Sequence, residues 1–357
     1  MRVSVIMPSY RHEAFIAQAI SSVLAQTIED IELIVIDDAS PDASNDIIHG
    51  FKDRRILHIR LPTNVGACEA MNIGLRRASS PLIAVCNSDD AWEPEKLRRQ
   101  LDVLERDPNL AAVFSDVWWM DARGKVISED SCPSAGIFTR ENQSRHAWLK
   151  QLAETGNCLC HPSVLIRREV YNTCGYYDPY LRQLPDYDMW LRVVQRYDIH
   201  VMPDKLIHFR LHDNNTSQSS TDSQRRNARE SLFILRKLFA EISAENFNRA
   251  FLGEEPAPHR QAPEQGADPR AVLTYLCAYQ KPRQHVFNDI MLENIYRSSP
   301  DLRETFLPTS VFQEFMAQPD PAFIESAAPP PVARNRLRSA LQAFFSGAVI
   351  KRYTKSR

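Results

Sequence analysis

Along the first 115 residues two kinds of apolar pattern alternate. VSVIM (residues 3–7), ELIVI (32–36) and LIAVC (82–86) are short, nearly unbroken apolar runs, the mark of strands covered on both faces. Between the first two, Phe15, Ile16, Ala19, Ile20, Val23 and Leu24 recur with a helical period and predict a helix with one buried face. ILHIR (56–60) reads as a third strand, and TNVGACEAMNIGLRRAS turns into a helix near Gly66. Ser44 or Asp42 suits the cap of a short helix towards Phe51, and Pro94 opens another after LIAVC. AAVFSD (111–116) is the next strand. Such a βαβ series, crossing over right-handedly, predicts a Rossmann-like, mostly parallel sheet flanked by helices, with the first strand between the second and fourth.

From 116 to 215 the regularity breaks. Trp118 and Trp119, a loop around Pro133 and Gly136, a strand VLIRR (164–168) and a turn at Gly175 lead to a helix beginning near Asp186. That helix carries Met189, Trp190, Val193 and Val194 at helical spacing. Beyond Ser217 a polar stretch precedes a helix bearing Leu232, Leu235, Leu238, Phe239 and Ile242. Pro256, Pro258, Pro263 and Pro269 mark residues 253–269 as a linker. Residues 270–357 have a helical pattern punctuated by Pro329, Pro330 and Pro331, and end in a basic segment without acids.

Two of the apolar runs end in clusters of acids. ELIVI releases Asp37 and Asp38, and LIAVC leads into Asn87, Ser88, Asp89 and Asp90. In the expected strand order these acids meet Tyr10 on the edge where open α/β sheets bind ligands. Carboxylates repel a phosphorylated ligand unless a divalent cation bridges the two, and oxygen donors suit such a cation. With only 10 glycines, and neither GxGxxG nor GxxxxGK[ST] present, a glycine-rich phosphate cradle is not expected. A formal net charge of -2 argues against a nucleic-acid partner.

The 7 cysteines form no CxxC pair, and Cys158 with Cys160 is too close for a zinc knuckle, so reduced structural thiols are expected. VSVIMPSY lacks the succession of a signal peptide, and no apolar run approaches the roughly 20 residues of a membrane span. The expectation is a cytoplasmic protein, soluble or peripheral on the inner face of a membrane.

Six blocks in series, VSVIMPSY, AISSVLAQT, ELIVIDDASPD, TNVGACEAMNIGL, NSDDAWEPEKL and LPDYDMWLRV, resemble the successive motifs of family 2 inverting glycosyltransferases with the GT-A fold. The likeness covers about residues 3–215 in order and with normal spacing. It implies a GT-A catalytic domain over 1–215, with a nucleotide-binding half (1–115) and an acceptor half (116–215). A flanking helix (216–252), the linker and an added helical C-terminal region (270–357) would complete the chain.

The resemblance also implies roles. Pro8, Ser9 and Tyr10 match the nucleotide-pocket block, Tyr10 stacking on the base. Asp38 matches the acceptor of a hydrogen bond from the base, with Asp37 supporting the loop. Asn64, Gly66 and Asn72 match the block lining the nucleotide. Asp89 and Asp90 match the DxD-type block that holds ribose and a metal, Mn²⁺ or Mg²⁺, although the first position of the common DxDD run is Asn87. Asp186 matches the general base, and Pro185 replaces the acid that usually precedes it. One base acting directly inverts the anomeric carbon.

Asp188 is the competing base, with a solvated or helix-capping acid as its structural alternative. His161, before Pro162, falls in the acceptor-side block. His212 in FRLHDNNTS, close to Arg210, is a candidate ligand for the metal or diphosphate, each histidine having a structural alternative. Trp92 is a candidate to lie over the acceptor side, whereas Trp118, Trp119 and Trp190 read as core.

The expected activity is transfer from a nucleotide-sugar donor, with UDP, to a surface-glycan or lipid-linked saccharide acceptor. A catalytically inactive nucleotide-sugar-binding module and a nucleotidyltransferase are the alternatives. In the tail, Leu337, Leu341, Phe344, Phe345 and Ala348 share a face flanked by Lys and Arg, so residues 334–357 suit peripheral contact with an anionic membrane or a solvated basic tail equally.

Overall fold

The computed structural model describes residues 2–253 except Pro133, Asn214 and residues 216–219, together with Gly266, Ala267, Val272 and Ile290. Strands β1 (Val3–Ser9), β2 (Ile31–Asp37), β3 (Ile56–Arg60) and β4 (Leu82–Val85) form the parallel half of an eight-stranded sheet. The first strand lies between the second and fourth, as expected, with Ser9 in register with Asp37 and Val3 with Leu82. Helices α1 (Ile16–Leu24), α2 (Ser44–Gly50) and α3 (Ala67–Arg77) make the crossovers. The apolar stripe of α1 is buried at Ile16, Ala19, Ile20 and Val23. α3 can lie close to the sheet because Gly74 has no side chain, and a Cβ there would run into Cγ2 of Ile6.

The other half is mixed. β5 (Ala91–Trp92), β6 (Leu110–Met120), β7 (Leu165–Arg167) and β8 (Asp198–Arg210) complete the order β3-β2-β1-β4-β7-β6-β8-β5. β7 runs antiparallel to β4 and β6, while β6 and β8 are parallel. Helices α4 (Lys96–Arg106), α5 (Arg145–Thr155), α6 (Arg168–Cys174) and α7 (Pro185–Val194) flank it. β5 and β8 were not legible as strands. β5 has two residues, too few for a period. The register of β8 slips where its pairing with β6 jumps from Met202 to Lys205, so exposed Pro203 and half-buried Asp204 bulge out of the ladder.

The chain divides into two compact units, Met1–Ile234 and Leu235–Arg357. α8 (Thr221–Glu241) runs through the division, and the second unit continues with α9 (Ala244–Phe247) and a π-helical turn, Asn248–Leu252. There Leu235, Leu238, Phe239 and Ile242 are buried, and Phe251 packs 5.4 Å from both Phe239 and Phe247. The linker expected at 253–269 and the helical region expected at 270–357, basic tail included, lie almost wholly outside the described residues. Among the described residues no helix is long and apolar enough to cross a membrane. Cys68, Cys86, Cys132, Cys158, Cys160 and Cys174 are free thiols.

Candidate active site

Each parallel strand delivers its chemistry in the loop at its C-terminal end, and backbone hydrogen bonds join these loops. After β1, Ser9 accepts from the Asp38 N–H at 2.9 Å. The Arg11 and His12 N–H groups donate to the hydroxyls of Ser40 and Ser44, each at 3.1 Å. Arg11 (φ 60°) and Ala39 (φ 56°) both adopt the left-handed conformation, a strain that these cross-loop bonds maintain. Tyr10 keeps 39% of its surface exposed and is open to a stacking partner. Ser9 is buried, and Pro8 half-buried beside it.

Asp37 accepts from the Ser40 N–H at 3.1 Å and supports its own loop, as expected. Asp38, expected to accept from a base, is engaged on both oxygens by the protein's own backbone. Its two carboxylate oxygens accept from the N–H groups of Val65 (2.7 Å) and Gly66 (2.9 Å), and Asn64 donates to its carbonyl at 3.2 Å. Gly66 supplies the positive φ (88°) from which α3 starts. Asn72 lies apart from this group. It is buried, and both ends of its amide are taken by the Tyr177 backbone, at 2.8 and 3.0 Å, so it braces the loop before α7 and does not line the nucleotide edge.

The loop after β4 separates its two acids. Asp89 sends Oδ2 to His212 Nε2 at 3.0 Å, with Asn215 at 3.4 Å. Asp90 turns into the protein, where Oδ1 accepts from the Arg210 N–H at 2.9 Å and Oδ2 from the Asn87 amide at 3.0 Å. Asn87 is therefore a donor to Asp90, where a third carboxylate would repel it. Arg210, 2% exposed, fixes the arrangement by donating to the carbonyls of Asp89 (2.6 Å), Asp121 (3.2 Å) and Ala122 (3.3 Å) and to Gln18 (2.6 Å).

Beside Asp89 stands His12, a residue that no motif singles out. His12 Nδ1 lies 2.7 Å from Ser88 Oγ, and one ligand atom each from His12, Asp89 and His212 fall within 4.8 Å of one another. Two imidazoles and a carboxylate at that spacing fit a divalent transition ion. Asp90, expected to share the metal, is not in the cluster, because its oxygens face Arg210 and Asn87. The available signal was the histidine two positions beyond Tyr10 in SYRHE. Burial raises the Asp89 carboxyl, but the His212 hydrogen bond and the neighbouring charges of His12 and His212 hold it below its usual value. Burial and the Asp89 charge push Asp90 well up.

Asp186 occupies the first turn of α7, behind Pro185, which suits a helix start. Its Oδ1 accepts from the Tyr187 N–H at 2.9 Å and its Oδ2 from the Asn157 amide at 2.6 Å. Asn157 is itself oriented by the Leu159 N–H at 3.0 Å. Burial outweighs these bonds and raises the Asp186 carboxyl from 3.8 to about 6. Asp188 is neither solvated nor capping. It is buried and pairs with Arg192 at 2.8 Å, so it is a structural ion pair.

His161 bonds the Tyr177 hydroxyl at 2.9 Å, and burial lowers it to about 4, so it is neutral at physiological pH. Trp92 does not overhang the site. It is buried, and Lys96 Nζ sits 4.0 Å above its ring.

Glu230 on α8 is likewise outside every motif. Its carboxylate accepts from three consecutive N–H groups, Arg182 (3.0 Å), Gln183 (2.8 Å) and Leu184 (2.8 Å), just before Asp186. Glu230→Ala would leave them without an acceptor, at a cost of about 1–3 kcal/mol each where water does not replace it. The expected result is a lower denaturant midpoint and reduced turnover with unchanged donor binding. Equal loss of donor affinity would show that the segment serves the nucleotide edge.

The profile of Glycosyl transferase family 2 matches residues 4–175. The chain is 30% identical over 241 residues to the Bacillus subtilis protein named "Putative teichuronic acid biosynthesis glycosyltransferase TuaG", covering 66% of this chain and 88% of that protein. An uncharacterized glycosyltransferase of Nostoc sp. is 31% identical over 184 residues, 50% of this chain, which spans about half (55%) of that relative's length. The crystal structure of Staphylococcus aureus TarS 1-349 with UDP-GlcNAc superposes with a TM-score of 0.54 at 14% identity, over 97% of this chain and 92% of that one. The likeness in structure is one of fold, and the fold is GT-A. Sequence motifs, sheet order and the relationship to TuaG agree, and the chain belongs to glycosyl transferase family 2.

Proposed function

We propose that the protein is an inverting, metal-dependent transferase that moves a sugar from a UDP-sugar to a hydroxyl of a surface-glycan or lipid-linked saccharide. The observation that carries this reading is the meeting of Asp89, His212 and His12 on the edge where Tyr10 and Asp38 also emerge. Tyr10 would stack on the base, while Asp38, Asn64 and Gly66 shape its rim and Ser9 and Pro8 its floor. Asp89 and His212 would hold a divalent cation. When bound, such an ion supplies Lewis-acid stabilisation for negative charge on a departing diphosphate.

Asp186 is the proposed base. As the acceptor oxygen bonds to the anomeric carbon and the bond from that carbon to the UDP oxygen breaks, the hydroxyl proton passes to the Asp186 carboxylate. A carboxyl raised to about 6 is ionised at neutral pH yet basic enough to take a proton. His161 and Tyr177 would border the acceptor side. TuaG's name and TarS's UDP-GlcNAc complex support the acceptor class and the donor nucleotide. Free thiols are consistent with a cytoplasmic setting, where such donors are found.

The test is a thermal-shift and turnover screen of nucleotide sugars with and without Mn²⁺. A UDP-sugar that stabilises the protein only with the ion, and yields a product of inverted anomeric configuration, is the expected result. Stabilisation without turnover on any saccharide would indicate an inactive binding module. Pyrophosphate release from a nucleoside triphosphate would indicate a nucleotidyltransferase.

A further inference from the structure

We infer that His12 is a third metal ligand, giving a two-histidine, one-carboxylate site that selects a first-row transition ion over Mg²⁺. The inference rests on the proposed metal-dependent function and narrows it. A site made of the β4-loop acids alone would offer only oxygen and would accept Mg²⁺ readily. Here Asp90 is turned inward on Arg210 and Asn87, and the atoms that converge on Asp89 belong to two imidazoles. Imidazole donors favour Fe²⁺, Co²⁺ or Zn²⁺ over hard Mg²⁺, and three protein ligands leave positions for diphosphate oxygens.

The position of His12 is constructed at several points. Its backbone N–H is held by Ser44, the preceding N–H by Ser40, and Arg11 takes a left-handed turn that aims the next side chain. Ser88 engages Nδ1 at 2.7 Å, the kind of outer partner that fixes the tautomer and ring plane of a ligating histidine. With Nδ1 taken by Ser88, the ion falls to Nε2, which has no hydrogen-bond partner among the described residues. Phe15 supports both imidazoles, its ring 4.7 Å from His212 and 5.9 Å from His12, with the two histidine rings 5.9 Å apart. A histidine retained only for packing needs neither Ser88 nor a second imidazole and a carboxylate so close to its ring.

The experiment is Co²⁺ titration of the metal-free full-length protein, monitored by visible absorption and by paramagnetically shifted proton resonances, with Mg²⁺ titrated by calorimetry. The wild type should show shifted imidazole signals from two histidines and bind Co²⁺ more tightly than Mg²⁺. His12→Ala should lose one set of signals and bind Co²⁺ about 100-fold more weakly, at the upper end of or beyond what outer-shell changes give, with Mg²⁺ affinity little altered. The wild-type spectrum decides the question even if that variant folds poorly, and His12→Gln provides a second variant.

Signals from a single histidine, or wild-type Co²⁺ affinity in His12→Ala, would overturn the assignment. If Co²⁺ binding survives His12→Ala and disappears in Asp89→Ala, His12 is not a ligand but the proposed function stands. If no ion binds with or without UDP, both are wrong.

Discussion

Asp186→Asn should stop sugar transfer while leaving donor binding intact. A positioned base contributes about 10²- to 10⁴-fold, and Asn matches Asp in shape but cannot accept the proton. The hydrogen bond from the Tyr187 N–H survives, because an amide oxygen can still accept it, whereas Asn157 would have to reorient or share its partner. The local fold should therefore persist. Its stability should be equal or higher. Burial raises this carboxyl from 3.8 to about 6, so over that range the folded protein binds more protons than the unfolded chain, and stability falls as pH rises through it. Removing the charge removes that cost.

The same shift sets the pH profile of the reaction. Because the base must be ionised, kcat/KM in the wild type should reach a plateau above pH 6 and fall tenfold per pH unit well below it. An Asp186→Asn variant with near-normal turnover would move the base elsewhere. A profile flat from pH 5 to 8 would show, within about one unit, that the raised carboxyl is not the group that titrates.

The second large effect separates two neighbouring acids. Asp89→Ala should abolish the metal-dependent part of donor stabilisation, worth about 2.7 kcal/mol when ligand stands at 100 times its Kd. Little else should change, because among the described residues the Asp89 carboxylate's side-chain partners are His212 and Asn215, both at the same edge. Asp90→Ala should act through the fold. It strips the acceptor from the buried Arg210 N–H and from the Asn87 amide, at about 1–3 kcal/mol each, and loosens the loop from which Asp89 projects. Melting curves without ligand tell the two apart: near wild type for Asp89→Ala, lowered by several degrees for Asp90→Ala. If Asp90→Ala melts normally and loses only the metal response, Asp90 is the ligand that the motif suggested.

Some of this was legible in the chain and some was not, for identifiable reasons. Asp37, Asp38, Asp89 and Asp186 could be located because each succeeds a strand or opens a helix whose apolar pattern is strong. Asn72 and Trp92 misled because their motif positions say nothing about which way a side chain turns. Asn72 reaches back to Tyr177, 105 positions away, and Trp92 lies beneath Lys96. Asp188 reads in the sequence as a competing base or a solvated or capping acid, and only its buried pairing with Arg192 makes it a structural ion pair. Asn157 and Glu230 carry no local signature and His12 only its place two positions beyond Tyr10, since their partners Asp186, Leu184 and Ser88 lie 29, 46 and 76 positions off.

The order of apolar and polar residues by itself determined the parallel half-sheet and the strand ends at which acids emerge. Those features come from local propensity and from the handedness of βαβ crossovers, which need no knowledge of distant contacts. Tertiary structure alone decided which atoms meet at that edge. It turned Asp90 inward to Arg210, brought His12 beside Asp89, and enclosed Asp186 until its carboxyl became a weaker acid. Direction, distance and desolvation arise only when separate loops close on one another, and they are what make an aspartate a ligand, a brace or a base.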